Sequence, residues 1–209
     1  MFEQVIAYCE RSDFSYWSEP VNAVTNVAFV LAAAMVWPRT KGLPLAQGMA
    51  IVLAAIGVGS FLWHTHATGW ASLADVVPIL LFILLYLFAA TRDFLGIAPP
   101  WAGAVTLAFF PYAAGFAWLF GGVLPGGNAL YASVAVLIAA YGLWLWRGPT
   151  GQGLVSGAVI LAVSLGFRMA DDAVCAKFPI GTHFMWHILN AIMLGWMIVV
   201  YCRHRQACA

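Results

Sequence analysis

Seven stretches of this chain are apolar over close to the length a helix needs to cross a bilayer: 20–38, 44–64, 70–91, 100–120, 127–147, 153–171 and 182–202. About 20 such residues make one span, so 209 residues hold seven spans on short loops and leave no room for a soluble domain. Only 8% of the residues are charged, against about 25% in a soluble domain. The expected fold is an all-α integral membrane protein with seven transmembrane helices. It is one domain over 1–209, with 1–19 as an extramembrane N-terminal segment. A net charge of +1 gives no basis for a nucleic-acid partner. The first nineteen residues carry Glu3, Glu10, Arg11, Asp13 and Glu19 without an apolar run, so the first span is expected to direct insertion. Pro20, Pro44 and Pro100 fall at span starts, where a missing N–H does no harm. Pro78 and Pro111 fall inside spans and are expected to kink them.

Basic residues set the expected orientation. Arg39, Lys41, Arg92, Arg147, Arg203 and Arg205 fall on one side, and only Arg11 and Lys177 lie in loops on the other. That bias puts the C-terminus in the cytosol and the N-terminus outside. His64 then lies at the outer end of the second span and Asp75 about one turn into the third. His183 and His187 lie in the first turns of the seventh. Ionisable groups at membrane depth are costly, so they point to function.

His183 and His187 are four residues apart and share a helix face, with about 6 Å between them along the axis. His64 can add a third ligand from a neighbouring helix. Three protein ligands with a fourth position open is the pattern of a catalytic zinc, which activates water near neutral pH. Ser60, one turn before His64, can hydrogen-bond the water or a developing oxyanion. Asp75 can orient the water or act as general base. A lone H-x3-H more often reports packing; here the Ser, the Asp and the third His converge at one depth. His66 is expected in a loop or behind the ligands, and His204 only adds positive charge. Asn190, at i+3 from His187, can support a ligand from behind. Arg168 can pair with Asp171 or Asp172 along its helix, and one of these Asp residues can instead anchor the N-terminal segment. Asn22 and Asn26 are expected to bond across helices. Cys9 and Cys175 share the outer side, where a disulfide is open to them in an oxidising compartment. Cys202 and Cys208, on the inner side, are expected as free thiols. The tryptophans read mostly as an interfacial belt.

Ser60-x3-His64, Asp75 and His183-Phe-Met-Trp-His187 together resemble the alkaline ceramidase family. Tyr8-Cys9-Glu10 resembles that family's Trp-Cys-Glu element, and Glu19-x2-Asn22-x3-Asn26 resembles the start of its first helix. These regions occur in the family's order and cover most of the chain. The resemblance implies zinc on His64, His183 and His187, with Ser60 and Asp75 in catalytic roles. It implies hydrolysis of the amide of a ceramide-like lipid to a long-chain base and a fatty acid, the lipid substrate and the bilayer being the partners. Compact loops suit a bacterial inner-membrane member with its site near the periplasmic side. The family also binds calcium through its N-terminal segment. By alignment, the ligands fall at Ala7, Tyr8 through its carbonyl, Glu10, Ser12 and Glu19, with Ala7 and Ser12 departing from the family's Asp and Asn. The alternative function is a receptor-like or regulatory seven-helix protein with a structural zinc. A transporter is disfavoured because no inverted repeat is visible.

Overall fold

A computed structural model describes residues 1–207. Helix α1 (Pro20–Thr25) and α2 (Val27–Val36) follow one another through Asn26, and a 3-10 turn (Trp37–Thr40) ends that rod. Then come α3 (Pro44–His66), α4 (Gly69–Asp93), α5 (Pro99–Phe120), α6 (Asn128–Trp144), α7 (Pro149–Val174) and α8 (His183–Ala207). Among the described residues no strand forms; Gln4 and Thr68 make an isolated antiparallel bridge. Cys208 lies outside the described residues.

Six of these rods are long and apolar enough to cross a membrane, counting α1, α2 and the 3-10 turn as one. Helix α6 is apolar but shorter, at 17 residues. The expected boundaries shift where prolines act. Pro99 and Pro149 occupy first-turn positions, so α5 and α7 begin earlier than hydropathy places them. Pro78 and Pro111 lie inside α4 and α5, which run on through both. Helix α3 continues to His66, so that residue is helical rather than in a loop. The helix stops where Ala67 turns left-handed, at φ 49°.

Neighbours in sequence are neighbours in space. Each rod from α2 to α8 packs on the next, and α8 closes the ring against α2 and α3. Met49, Leu53 and Ile56 of α3 meet Met197, Ile198 and Tyr201 of α8 in the interior. Large apolar side chains cover the outside instead of charged ones. Leu107, Trp118, Leu143 and Trp144 are each at least 65% exposed, which suits contact with lipid rather than water.

Two glycines let α3 approach both neighbours. A Cβ on Gly57 would stand 2.9 Å from the Asn26 carbonyl oxygen, and one on Gly59 would collide with the Ala74 carbonyl of α4. Small residues at such crossings let helix backbones come together where lipid offers no hydrophobic drive. This contact seats Ser60 and His64 beside α4. At the other end of the bundle, buried Asp93 takes Arg92 and Arg205, each at 2.8 Å, and the Tyr201 hydroxyl at 2.7 Å, tying α4 to α8.

Candidate metal centre

His64 from the end of α3 and His183 and His187 from the start of α8 meet in the interior. One ring nitrogen from each falls within 4.8 Å of the others. All three residues are at most 2% exposed. His64 Nε2, His183 Nδ1 and His187 Nε2 are buried with no hydrogen-bond partner among the described residues. A buried polar nitrogen without a partner costs free energy, and three converging ones form a donor set that suits zinc.

The other faces of two rings are fixed from behind. His64 Nδ1 donates to Glu19 Oε2 at 2.6 Å. The Thr25 hydroxyl donates to the Val21 and Asn22 carbonyls, so it accepts from His187 Nδ1 at 2.9 Å. Both bonds place the ring proton on Nδ1 and leave the Nε2 lone pair free, as carboxylate or hydroxyl partners do behind metal-bound histidines. Thr25 was not singled out in the sequence. Its signal was a hydroxyl three residues after Asn22 on the same polar face of an otherwise apolar rod. Asn190, expected in this supporting role, does not take it. Its amide donates to Ser164 Oγ and to the Trp186 carbonyl, each at 2.9 Å, and so ties α8 to α7.

Ser60, 5% exposed, lies one turn before His64. Asp75 sits in the second turn of α4, where the Gly59 crossing brings its Cα close to α3. The two side chains are near enough to interact, and Asp75 is in electrostatic reach of His64. Sequence reasoning named this pair; the helix crossing that brings it together was not readable there.

The N-terminal segment covers the centre. Val5 N–H bonds the Ala67 carbonyl at 2.9 Å, and Trp70 N–H bonds the Met1 carbonyl. Tyr8 stacks on His183 with ring centroids 3.7 Å apart and lies 5.2 Å from the His64 ring. Burial pushes the Tyr8 hydroxyl above its usual range. A disulfide joins Cys9 to Cys175, with Cα atoms 5.4 Å apart. Cys202 is a free, buried thiol.

Asp171 reaches across this junction, not along its own helix. Its carboxylate accepts the N–H groups of Cys9 at 3.0 Å, Thr182 at 2.7 Å and His183 at 2.9 Å. It therefore fastens the N-terminal segment and caps α8 at a candidate ligand. Arg168 pairs with neither Asp171 nor Asp172. It donates to the Gly126 carbonyl and Asn128 Oδ1 at the start of α6. The short-range helix rule loses because Asp171 has three backbone donors to satisfy. Asn22 and Asn26 bond within their own rod, to Glu19 Oε2 and to the Asn22 carbonyl.

In this arrangement the expected calcium ligands are engaged within the protein, and Arg11 stands among them. Its buried guanidinium donates to Glu19 Oε1 at 2.5 Å, to the carbonyls of Asp13 and Ser15, and to the His64 carbonyl at 2.8 Å. Both Glu10 oxygens accept backbone N–H groups, from Val21 at 2.7 Å and Asn22 at 2.8 Å. The Tyr8 carbonyl accepts the Arg11 N–H. Ser12 is exposed, and Ala7 has no side-chain oxygen. Calcium needs six to eight oxygens; here the oxygens are engaged and a cation already stands among them. Burial pushes the Glu10 carboxyl up in spite of its two N–H bonds. At Glu19 burial also pushes up, but the hydrogen bond from His64, then the hydrogen bond and charge of Arg11, outweigh it and hold the carboxyl below its usual range.

A cavity of about 90 Å³ opens inside the ring, its wall reaching Trp186, the residue before His187. Its wall is almost wholly apolar and includes Phe29, Phe82, Leu161 and Met193; Tyr86, Tyr131, Tyr141, Trp186 and Asn190 are its polar-tipped members. Phe29 links it to the centre, 6.4 Å ring to ring from His187. No protein-family model and no curated protein sequence matches this chain.

Proposed function

We propose that this chain is a zinc-dependent amidase of the bilayer that hydrolyses ceramide or a related N-acyl lipid, as its resemblance to the alkaline ceramidases implies. The observation that carries the reading is the set of three unpartnered, buried histidine nitrogens beside Ser60 and Asp75 and next to an apolar cavity. A structural zinc is usually closed by a fourth protein ligand; among the described residues the cluster has three. Helix α6 serves as the seventh, shorter span. The centre lies at the non-cytosolic end, on the periplasmic side of a bacterial inner membrane.

Zinc held by His64, His183 and His187 would supply a Lewis acid and acidify water at the site. The chain's own residues do the rest. The cavity takes the acyl chain in hydrocarbon-like surroundings, leaving the amide carbonyl level with the histidines. Asp75 accepts the proton of the attacking water and returns it to the amine as the C–N bond breaks. Ser60 donates its hydroxyl to the carbonyl oxygen as negative charge grows there. Water thus adds hydroxyl to the acyl carbon and a proton to the nitrogen, giving a fatty acid and a free long-chain amine.

The test is turnover of a panel of N-acyl lipids by the purified protein in vesicles, with and without a zinc chelator. Chelator-sensitive release of fatty acid, lost in His64→Ala and His187→Ala, supports the reading. Stoichiometric zinc without turnover of any amide favours the receptor-like alternative.

A further inference from the structure

Among the described residues, Arg168 is the part-buried arginine whose charge no carboxylate answers directly. Arg11 pairs with Glu19, and Arg92 and Arg205 share Asp93. Arg168 is neither exposed nor buried, and its protein acceptors, Gly126 O and Asn128 Oδ1, are neutral. Both of those bonds use Nη1. The guanidinium lies over two rings, 5.3 Å from the centre of Tyr131 and 5.6 Å from that of Trp186. Those aromatic faces hold its plane, and among the described residues the Nε and Nη2 hydrogens have no acceptor.

The position matters as much as the charge. Tyr131 and Trp186 belong to the wall of the apolar cavity, and the Arg168 guanidinium lies against both of these wall residues. Its charge is in electrostatic reach of Asp75, Tyr8 and His183. A lipid with its acyl chain in the cavity and its carbonyl at the histidines would carry its amine-side portion towards this guanidinium. The Nε/Nη2 edge of arginine is the fork that takes a carboxylate or phosphate through two parallel hydrogen bonds. Partial burial strengthens such a pair relative to one in water.

We infer that Arg168 makes the centre selective for an N-acyl lipid that carries an oxyanion, carboxylate or phosphate, on the amine side of its amide. The inference rests on the hydrolase reading above and narrows its substrate class. A neutral ceramide leaves the fork unmatched; an acylated amino acid or an acylated aminoalkyl phosphate fills it. Arg168 is a specificity-determining residue here and takes no part in bond breaking.

The test uses the full chain in nanodiscs of neutral phosphatidylcholine and two matched pairs. One pair is N-palmitoylglycine and N-palmitoylglycinamide. The other is N-palmitoylethanolamine phosphate and N-palmitoylethanolamine. Wild type should favour the anionic member of at least one pair by tenfold or more in kcat/KM, and the pair with the larger ratio identifies the oxyanion. Arg168→Gln should bring that ratio to within about twofold of one, and Arg168→Lys should restore part of it. Equal use of both members of each pair by the wild type, or a preference that survives Arg168→Gln, overturns the inference. Equilibrium binding of the radiolabelled lipids separates this from failure of the amidase reading. If no amide is cleaved, that reading fails for these lipids. An anion preference in binding that Arg168→Gln erases still supports the fork, and its absence still overturns it. Should Arg168→Gln misfold by size-exclusion profile, Arg168→Lys against Arg168→Met carries the comparison.

Discussion

Glu19 and His64 are joined by a 2.6 Å hydrogen bond between Oε2 and Nδ1, with both residues at most 2% exposed. The bond settles which nitrogen of His64 is left for a metal. It also couples the N-terminal segment to α3, because Glu19 Oε1 holds Arg11.

Glu19→Gln should therefore weaken zinc binding without removing a ligand. The amide can present its NH₂ to Nδ1 as readily as its oxygen, so the ring loses its fixed tautomer. Loss of such a supporting partner typically costs about 10–100-fold in metal affinity. Zinc competition against a chromogenic chelator measures it; affinity within twofold of wild type counts against the arrangement.

Arg11 yields a prediction of opposite sign for calcium. With the guanidinium among the oxygens, calcium titrated into the purified protein should give no saturable heat by calorimetry and no shift in thermal midpoint. Arg11→Met removes the cation and leaves the Glu19 carboxylate buried without its charged partner. Breaking one side of a buried pair costs roughly 3–5 kcal/mol, so this variant should unfold at much lower temperature. Saturable calcium binding by wild type would mean that the segment takes another arrangement.

The contrast between these neighbouring sites shows what one sequence discloses. His64, His183 and His187 were legible because histidine is conspicuous in apolar segments and helical spacing brings i and i+4 to one face. The rods were legible for the same reason, hydropathy being a property of local sequence. Glu19 was legible as important but not in role, since a carboxylate beside calcium and one behind a histidine look alike. What separates them is the reach of Arg11 forward over eight residues, and residues 1–19 have no periodicity from which to read a path. Arg168 and Asp171 follow the same logic. Their i+3 spacing on α7 suggested a pair, but each found partners on other elements that local spacing does not encode.

The meeting of Ser60 with Asp75 depends on Gly59, so three variants should sort by mechanism. Asp75→Asn should lower kcat by about 10²–10⁴ as a lost general base does, with zinc content unchanged. Ser60→Ala should lower kcat by a smaller factor. Gly59→Val, which touches neither side chain, should force α3 from Ala74 and reduce both kcat and thermal stability. Steady-state kinetics beside metal analysis distinguishes the three; wild-type kcat in Gly59→Val would show that the crossing does not set the site.

Asp171 is 2% exposed and serves three backbone donors on two different elements. Asp171→Ala would leave the N–H groups of Cys9, Thr182 and His183 without that acceptor. Each buried orphan costs about 1–3 kcal/mol, less whatever water recovers at this edge of the bundle. The disulfide still holds Cys9 near Cys175 in the variant, so the N-terminal segment stays tethered while α8 loses its cap. The expected result is a lower thermal midpoint together with weaker zinc binding, because His183 is the first residue of α8. Hydrogen exchange should localise the change, with amides of 182–187 losing protection more than those of α3 around His64. Equal loss across both helices would instead mark Asp171 as a general stabiliser with no special hold on the metal centre.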